Sequence, residues 1–143
     1  YDKTRKITKE NNMGLDQYGQ IRNKKIDFKK VYSNEYEPTK HGFVWRKHAR
    51  LQTFMSEKFA ELNPQADAMN GDDELVLTKE IVMELRKEID NDFRNSFCSG
   101  GFFWGHQFQE EAVKEYSKQD SQFCDWALAQ MERGETVVYT CSW

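Results

Sequence analysis

The closing residues Thr136-Val137-Val138-Tyr139-Thr140-Cys141-Ser142-Trp143 constrain the fold most. β-Branched and aromatic side chains dominate them, and their alternation gives two faces. Val137, Tyr139, Cys141 and Trp143 share one, and Val138, Thr140 and Ser142 the other. The run follows Arg133-Gly134, a helix stop with a cation in the last turn and a glycine suited to left-handed geometry. The chain therefore ends as helix, turn and strand.

Upstream, Leu15 and Ile21 alternate with polar positions around Tyr18, which predicts a first strand over 14–21. Residues 22–42 are charged and aromatic and end in Pro38 and Gly42, a composition suited to a long surface loop with a short strand at Ile26–Phe28. From Phe43, the positions Val44, His48, Leu51, Met55, Phe59 and Leu62 recur at three- and four-residue steps and predict one long helix. Asn63-Pro64 stops it. Glu74–Leu77 is β-prone. Thr78 then caps a helix with Glu80 in its first turn and the stripe Ile81 or Val82, Leu85, Ile89 and Phe93. Ser99–Gly105 reads as a buried aromatic strand, and Gln107–Glu132 as a third helix. Alternating strands and helices ordinarily suggest a parallel α/β sheet. The strands here are few and short. The expected class is α+β, a small, mainly antiparallel sheet of about four short strands against three helices, with a compact α/β arrangement second.

With 143 residues the chain holds one domain. Phe 10, Tyr 6 and Trp 4 argue for a packed interior. Residues 1–12 lack an apolar period and read as a disordered leader or tag remnant, leaving 13–143 as the globular unit. No stretch approaches a membrane span. Net charge is -3, with a positive leader and an acidic body, which argues against a dedicated nucleic-acid binder. Cys98, Cys124 and Cys141 are odd in number and widely spaced, so a reducing cytoplasm is the expected compartment.

No motif carries recognised chemistry. The cluster Gly100-Gly101-Phe102-Phe103-Trp104-Gly105 fits neither phosphate-loop pattern. The histidines and cysteines lack short ligand spacings, so neither a metal nor another cofactor is expected. Cys98 with His106 matches a nucleophile–base pair by residue type alone. The candidate binding residues lie instead in Trp45-Arg46-Lys47-His48 and Arg50, where cations beside a helix N-terminus could hold an anion. The competing reading packs Trp45 inside and leaves the cations in water. Trp104, His106 and Trp143 complete the candidate set.

Taken together, Met13-Gly14-Leu15-Asp16 with Tyr18, Gly42 with Trp45-Arg46-Lys47, Gly101-Phe102-Phe103 with Gly105, and Tyr139 with Ser142-Trp143 resemble an uncharacterised family of small proteins encoded in bacteriophage and prophage genomes. The resemblance spans Met13 to Trp143. Some relatives carry a phosphoglycerate kinase label, which this chain contradicts by its length and its missing nucleotide-binding glycines. The resemblance implies a phage accessory protein in the cytoplasm of the host. The leading expectation is a non-enzymatic module that binds a host or phage protein, with Trp45, Trp104 and Trp143 as anchors. The rival is an anion-binding or hydrolytic protein using Trp45 to His48, with His106 as a further candidate and histidine as acid or base.

Overall fold

The computed structural model describes residues 14–96 and 106–143. The elements run β1 (Asp16–Ile21), α1 (Phe28–Val31), α2 (Pro38–His41), β2 (Phe43–Arg46), α3 (Ala49–Leu62), β3 (Leu75–Val76), α4 (Lys79–Asp90), a 3-10 turn (Arg94–Ser96), α5 (His106–Glu132) and β4 (Val137–Ser142). The class is α+β. One four-stranded sheet has the order β2-β1-β4-β3, and every pairing in it is antiparallel.

Its centre joins the ends of the described chain, with Asp16 opposite Ser142 and Ile21 opposite Val137. Leu15, just ahead of β1, and Gln17 and Gly19 on it alternate inward, and on β4 Val137, Val138, Tyr139 and Cys141 are buried. Phe123 of α5 presses on Gly19 so closely that an added Cβ would lie 2.4 Å from its ring. The core continues through Leu51, Met55 and Phe59 of α3 and Ile81, Val82 and Leu85 of α4. Thr78 caps α4 by accepting from the Ile81 amide at 3.2 Å, as its position predicts.

Three expectations are corrected. Ile26–Phe28 forms no strand, because the Asp27 side chain accepts from the Lys30 amide and caps the single turn α1. Phe43 does not open a helix. Gly42, at φ +103°, turns the chain out of α2. Phe43 and Trp45 then point inward from a strand whose partners run from Gly19 back to Asp16. Lys47, at φ +57°, ends that strand, and α3 begins only at Ala49. At its far end Leu62 is largely exposed instead of continuing the apolar stripe. The sheet thus has four strands, but β2 is one that the helical spacing conceals. The expected strand at Ser99–Gly105 lies outside the described residues, as do residues 1–12.

The outer edge of β2 is closed by side chains. Tyr36 Oη accepts from the Val44 amide at 3.1 Å and donates to the Gly42 carbonyl at 2.7 Å. Gln119 donates to the Val44 carbonyl, and Tyr116 Oη accepts from the Arg46 amide. An edge occupied in this way cannot recruit a further strand there.

Candidate functional site

The segment singled out by its charge divides on folding. Trp45 and His48 turn into the core, Arg46 and Lys47 lie towards the surface, and Arg50 is buried on the first turn of α3.

Asp120, in the middle of α5, receives the two inward groups. Trp45 Nε1 donates to its Oδ1 at 2.8 Å, and His48 Nε2 meets its Oδ2 at 2.8 Å. A carboxylate that already accepts from the indole leaves the imidazole as the second donor, which places the ring hydrogen on Nε2. Tyr116 stacks on the imidazole at 5.4 Å, and Phe93 meets it edge-on at 5.3 Å. Phe93 reaches this position through two consecutive left-handed residues, Asp92 and Phe93, after the end of α4.

Gln17 of β1 clamps the neighbouring backbone. Its Oε1 accepts from the His48 amide at 2.8 Å, and its Nε2 donates to the His48 carbonyl at 3.0 Å. The same Nε2 donates to Tyr139 Oη, which donates in turn to Gln52 Oε1. Gln52 Nε2 then reaches Ser56 Oγ and Cys141 Sγ. Burial pushes the Tyr139 hydroxyl well above its ordinary pKa, against the smaller opposing effect of the Gln17 hydrogen bond. The result is one buried polar chain linking β1, β2, α3, α5 and β4.

A carboxylate that orients one imidazole nitrogen and leaves the other bare is the arrangement used in acid–base chemistry. His48 Nδ1 is that bare atom, buried and without a hydrogen-bond partner. Both side chains are sealed, at 0% and 1% exposure. A general base must come within hydrogen-bond reach of the proton it takes, and Tyr116 and Phe93 cover the imidazole instead. In this state the pair organises the core.

The cations of the segment do not share a face. Arg46 reaches back over β1, with its Nε 3.8 Å from Asp16 Oδ1. Arg46 and Lys47 line a cleft that also holds Glu111 and Glu115. Arg50 Nε donates to Gln109, its Nη1 donates to the Asp92 carbonyl at 3.2 Å, and its cleft contains Asp92 and Glu110. Acids therefore accompany each of these cations. Trp143 is 49% exposed at the end of β4, where its amide donates to Asn70 Oδ1. Trp104 lies outside the described residues, and His106 is described only as the first residue of α5.

Three of the four quoted motif pieces meet at one end of the sheet. Asp16 pairs in register with both Arg46 and Ser142, and the Lys47 amide donates to the Leu15 carbonyl at 2.8 Å. The fourth piece, around Gly101–Gly105, is outside the description. Sequence reasoning missed Gln17, Gln52 and Asp120. Asp120 did leave a signal, for it lies four residues after Tyr116 and three before Phe123, on the apolar face of α5. Among the described residues no helix is long and apolar enough to cross a membrane, and no group of three or more His, Cys, Asp or Glu side chains is placed to hold a metal ion. No protein-family model, no curated protein and no solved structure matches the chain.

Proposed function

We propose that the chain is a small accessory binding protein, of the phage-encoded kind its motifs resemble, and that it docks a host or phage protein through the aromatic cluster at α1. In this reading it acts in the cytoplasm of the infected cell and performs no catalysis. The observation that carries it is a row of three rings. Tyr18 meets Phe28 edge-on at 5.8 Å, and Phe28 stacks on Tyr32 at 6.3 Å. Tyr32 is 78% exposed and Phe28 is 43% exposed.

Aromatic side chains are enriched in the centres of protein interfaces, where they cover large areas with few rotatable bonds. The anchors expected from sequence were tryptophans. Trp45 is spent inside the core, and the exposed rings of α1 take over its role in this reading.

The test is affinity capture from the producing or infected host, followed by binding of the purified partner to the wild type and to Tyr32→Glu. Loss of a hot-spot ring costs about 2 kcal/mol, roughly thirtyfold in Kd. The unfolding midpoint should not move, because Tyr32 is mostly in water. A purified partner that binds both proteins equally, or the absence of any direct partner, defeats the reading.

A further inference from the structure

The loop after β1, the turn α2 and the end of α5 border a partly open hollow of about 230 Å³. Lys24, Lys25, Lys40 and Arg133 line it together with His41 and the indole of Trp126. No aspartate or glutamate is among its described lining residues. Such a concentration of one sign is notable in a chain whose net charge is -3.

Ordinary surface pairing does not account for it. Arg22, Lys30, Lys58 and Arg86 each lie against a carboxylate elsewhere on the surface. Lys24, Lys25 and Arg133 have none within 4.0 Å among the described residues. Lys40 alone has one, Glu37 at 3.0 Å, and that pair is strongly solvated. Helix capping does not account for Arg133 either. The Gln130 carbonyl accepts from the Arg133 and Glu135 amides and the Met131 carbonyl from the Gly134 amide, so backbone groups already serve the end of α5.

His41 adds a directional donor. Its Nδ1 accepts from the Glu37 amide at 3.0 Å, which leaves Nε2 as the nitrogen that carries hydrogen. The ring also packs on Tyr36 at 6.4 Å, which fixes its plane. The residues that line the hollow thus carry three ammonium groups, one guanidinium and one ring N–H.

Size and charge select the ligand. The volume falls below the range of sites that enclose drug-sized molecules, so the part of a ligand held inside is a compact group. Several cations converging without an acid favour two or more negative charges, and phosphoryl oxygens match both lysine and arginine donors. The acidic balance of the whole chain disfavours a long polyanion. We propose that this hollow is a binding site for a compact oxyanion of the pyrophosphate type, supplied free or as the terminal phosphates of a nucleotide. The site shares no residue with the aromatic cluster and stands apart from the partner-docking reading.

The test is calorimetric titration of the whole protein with inorganic pyrophosphate at low ionic strength. One equivalent should bind. Lys25→Gln with Arg133→Gln should weaken binding about a hundredfold, about tenfold for each charged contact removed. Lys24→Gln should lose about tenfold, and it serves as the second probe should the double variant fold poorly. Lys118→Gln, on a different cleft, should bind as the wild type does. ADP binding as tightly as pyrophosphate, with AMP failing, identifies the terminal phosphates of a nucleotide as the source. Pyrophosphate binding alone identifies the free anion. The proposal is overturned if pyrophosphate does not bind at millimolar concentration, if Lys118→Gln loses as much as the hollow variants, or if single-stranded RNA binds more tightly than pyrophosphate through the same lysines.

Discussion

His41 and His48 are seven residues apart, yet they belong to polar groups built on opposite rules. Around His48 the polar atoms meet their complements, its own Nδ1 excepted. Asp120 accepts from Trp45 and His48, Gln17 clamps a backbone pair, and Tyr139 both donates and accepts. Around His41, like charges converge on one hollow without a carboxylate in its wall. Four residues of strand, Phe43–Arg46, separate the two. A matched buried network rigidifies the fold that contains it. An unmatched cluster adds repulsion and is tolerated where something outside the chain completes it.

The largest test of this contrast is Asp120→Ala. It strips the acceptor from two buried donors and opens a void beneath Trp45, so the expected loss is about 3–5 kcal/mol in urea unfolding. That is a large fraction of the stability of a typical domain, about 5–15 kcal/mol. Asp120→Asn keeps an oxygen for one donor and should lose distinctly less. An Asp120→Ala loss below about 1 kcal/mol would mean that the network contributes little and the contrast fails. Next in size is Tyr139→Phe, which removes one hydroxyl, orphans Gln52 Oε1 and takes an acceptor from Gln17. Its cost should be about 1–3 kcal/mol.

The contrast also explains what the sequence could disclose. Strands β1 and β4, the end of α3 at Asn63 and the cap at Thr78 were legible because each follows from local spacing or a local stop signal. β2 was not. Its inward residues Phe43 and Trp45 give only two beats of a two-residue period, while Val44, His48 and Leu51 happen to fall at helical steps. Gly42 and Lys47, both at positive φ, decide the matter by turning the chain at each end. The core network was half visible, since Asp120 shares the apolar face of α5 but sits in the polar run Ser117-Lys118-Gln119-Asp120-Ser121. The hollow left no spacing signature at all. Lys24 and Lys25, Lys40 and Arg133 come from three separate stretches, and only the packing of α2 against α5 brings them together.

Alkaline titration probes the buried side without mutation. Burial raises Tyr36 from 10.0 to about 12, opposed by its hydrogen bond from the Val44 amide. Burial also raises Cys124 from 9.0 to about 12, opposed by Arg86. A group whose folded pKa lies above its unfolded value binds more protons in the folded state between the two. Its contribution is complete below the unfolded pKa and is lost as pH rises through the folded one. Stability should therefore hold to about pH 9, fall first through Cys124 and then more steeply above about pH 10 as Tyr36 and Tyr139 join. Burial also raises Cys141 above 9.0, so in Cys124→Ala the first part of the fall should shrink, and in Cys124→Ala with Cys141→Ala it should vanish, read as urea midpoints across the pH range. A profile that stays flat to pH 12 would show that these groups titrate alike in both states.

The smallest effect separates the two polar groups most sharply, because its sign is opposite. Removing Lys25 and Arg133 from the hollow breaks no ion pair and no hydrogen bond of either side chain among the described residues. It relieves like-charge repulsion instead. In the absence of any anion, Lys25→Gln with Arg133→Gln should leave stability unchanged or raise it by up to about 0.5 kcal/mol. The gain should shrink with added salt, since solvated charges repel less when screened. A loss above about 1 kcal/mol would place these cations in the structural economy of the fold alongside Asp120. A neutral or positive change, together with weakened pyrophosphate binding, assigns them to a ligand that the chain itself does not supply.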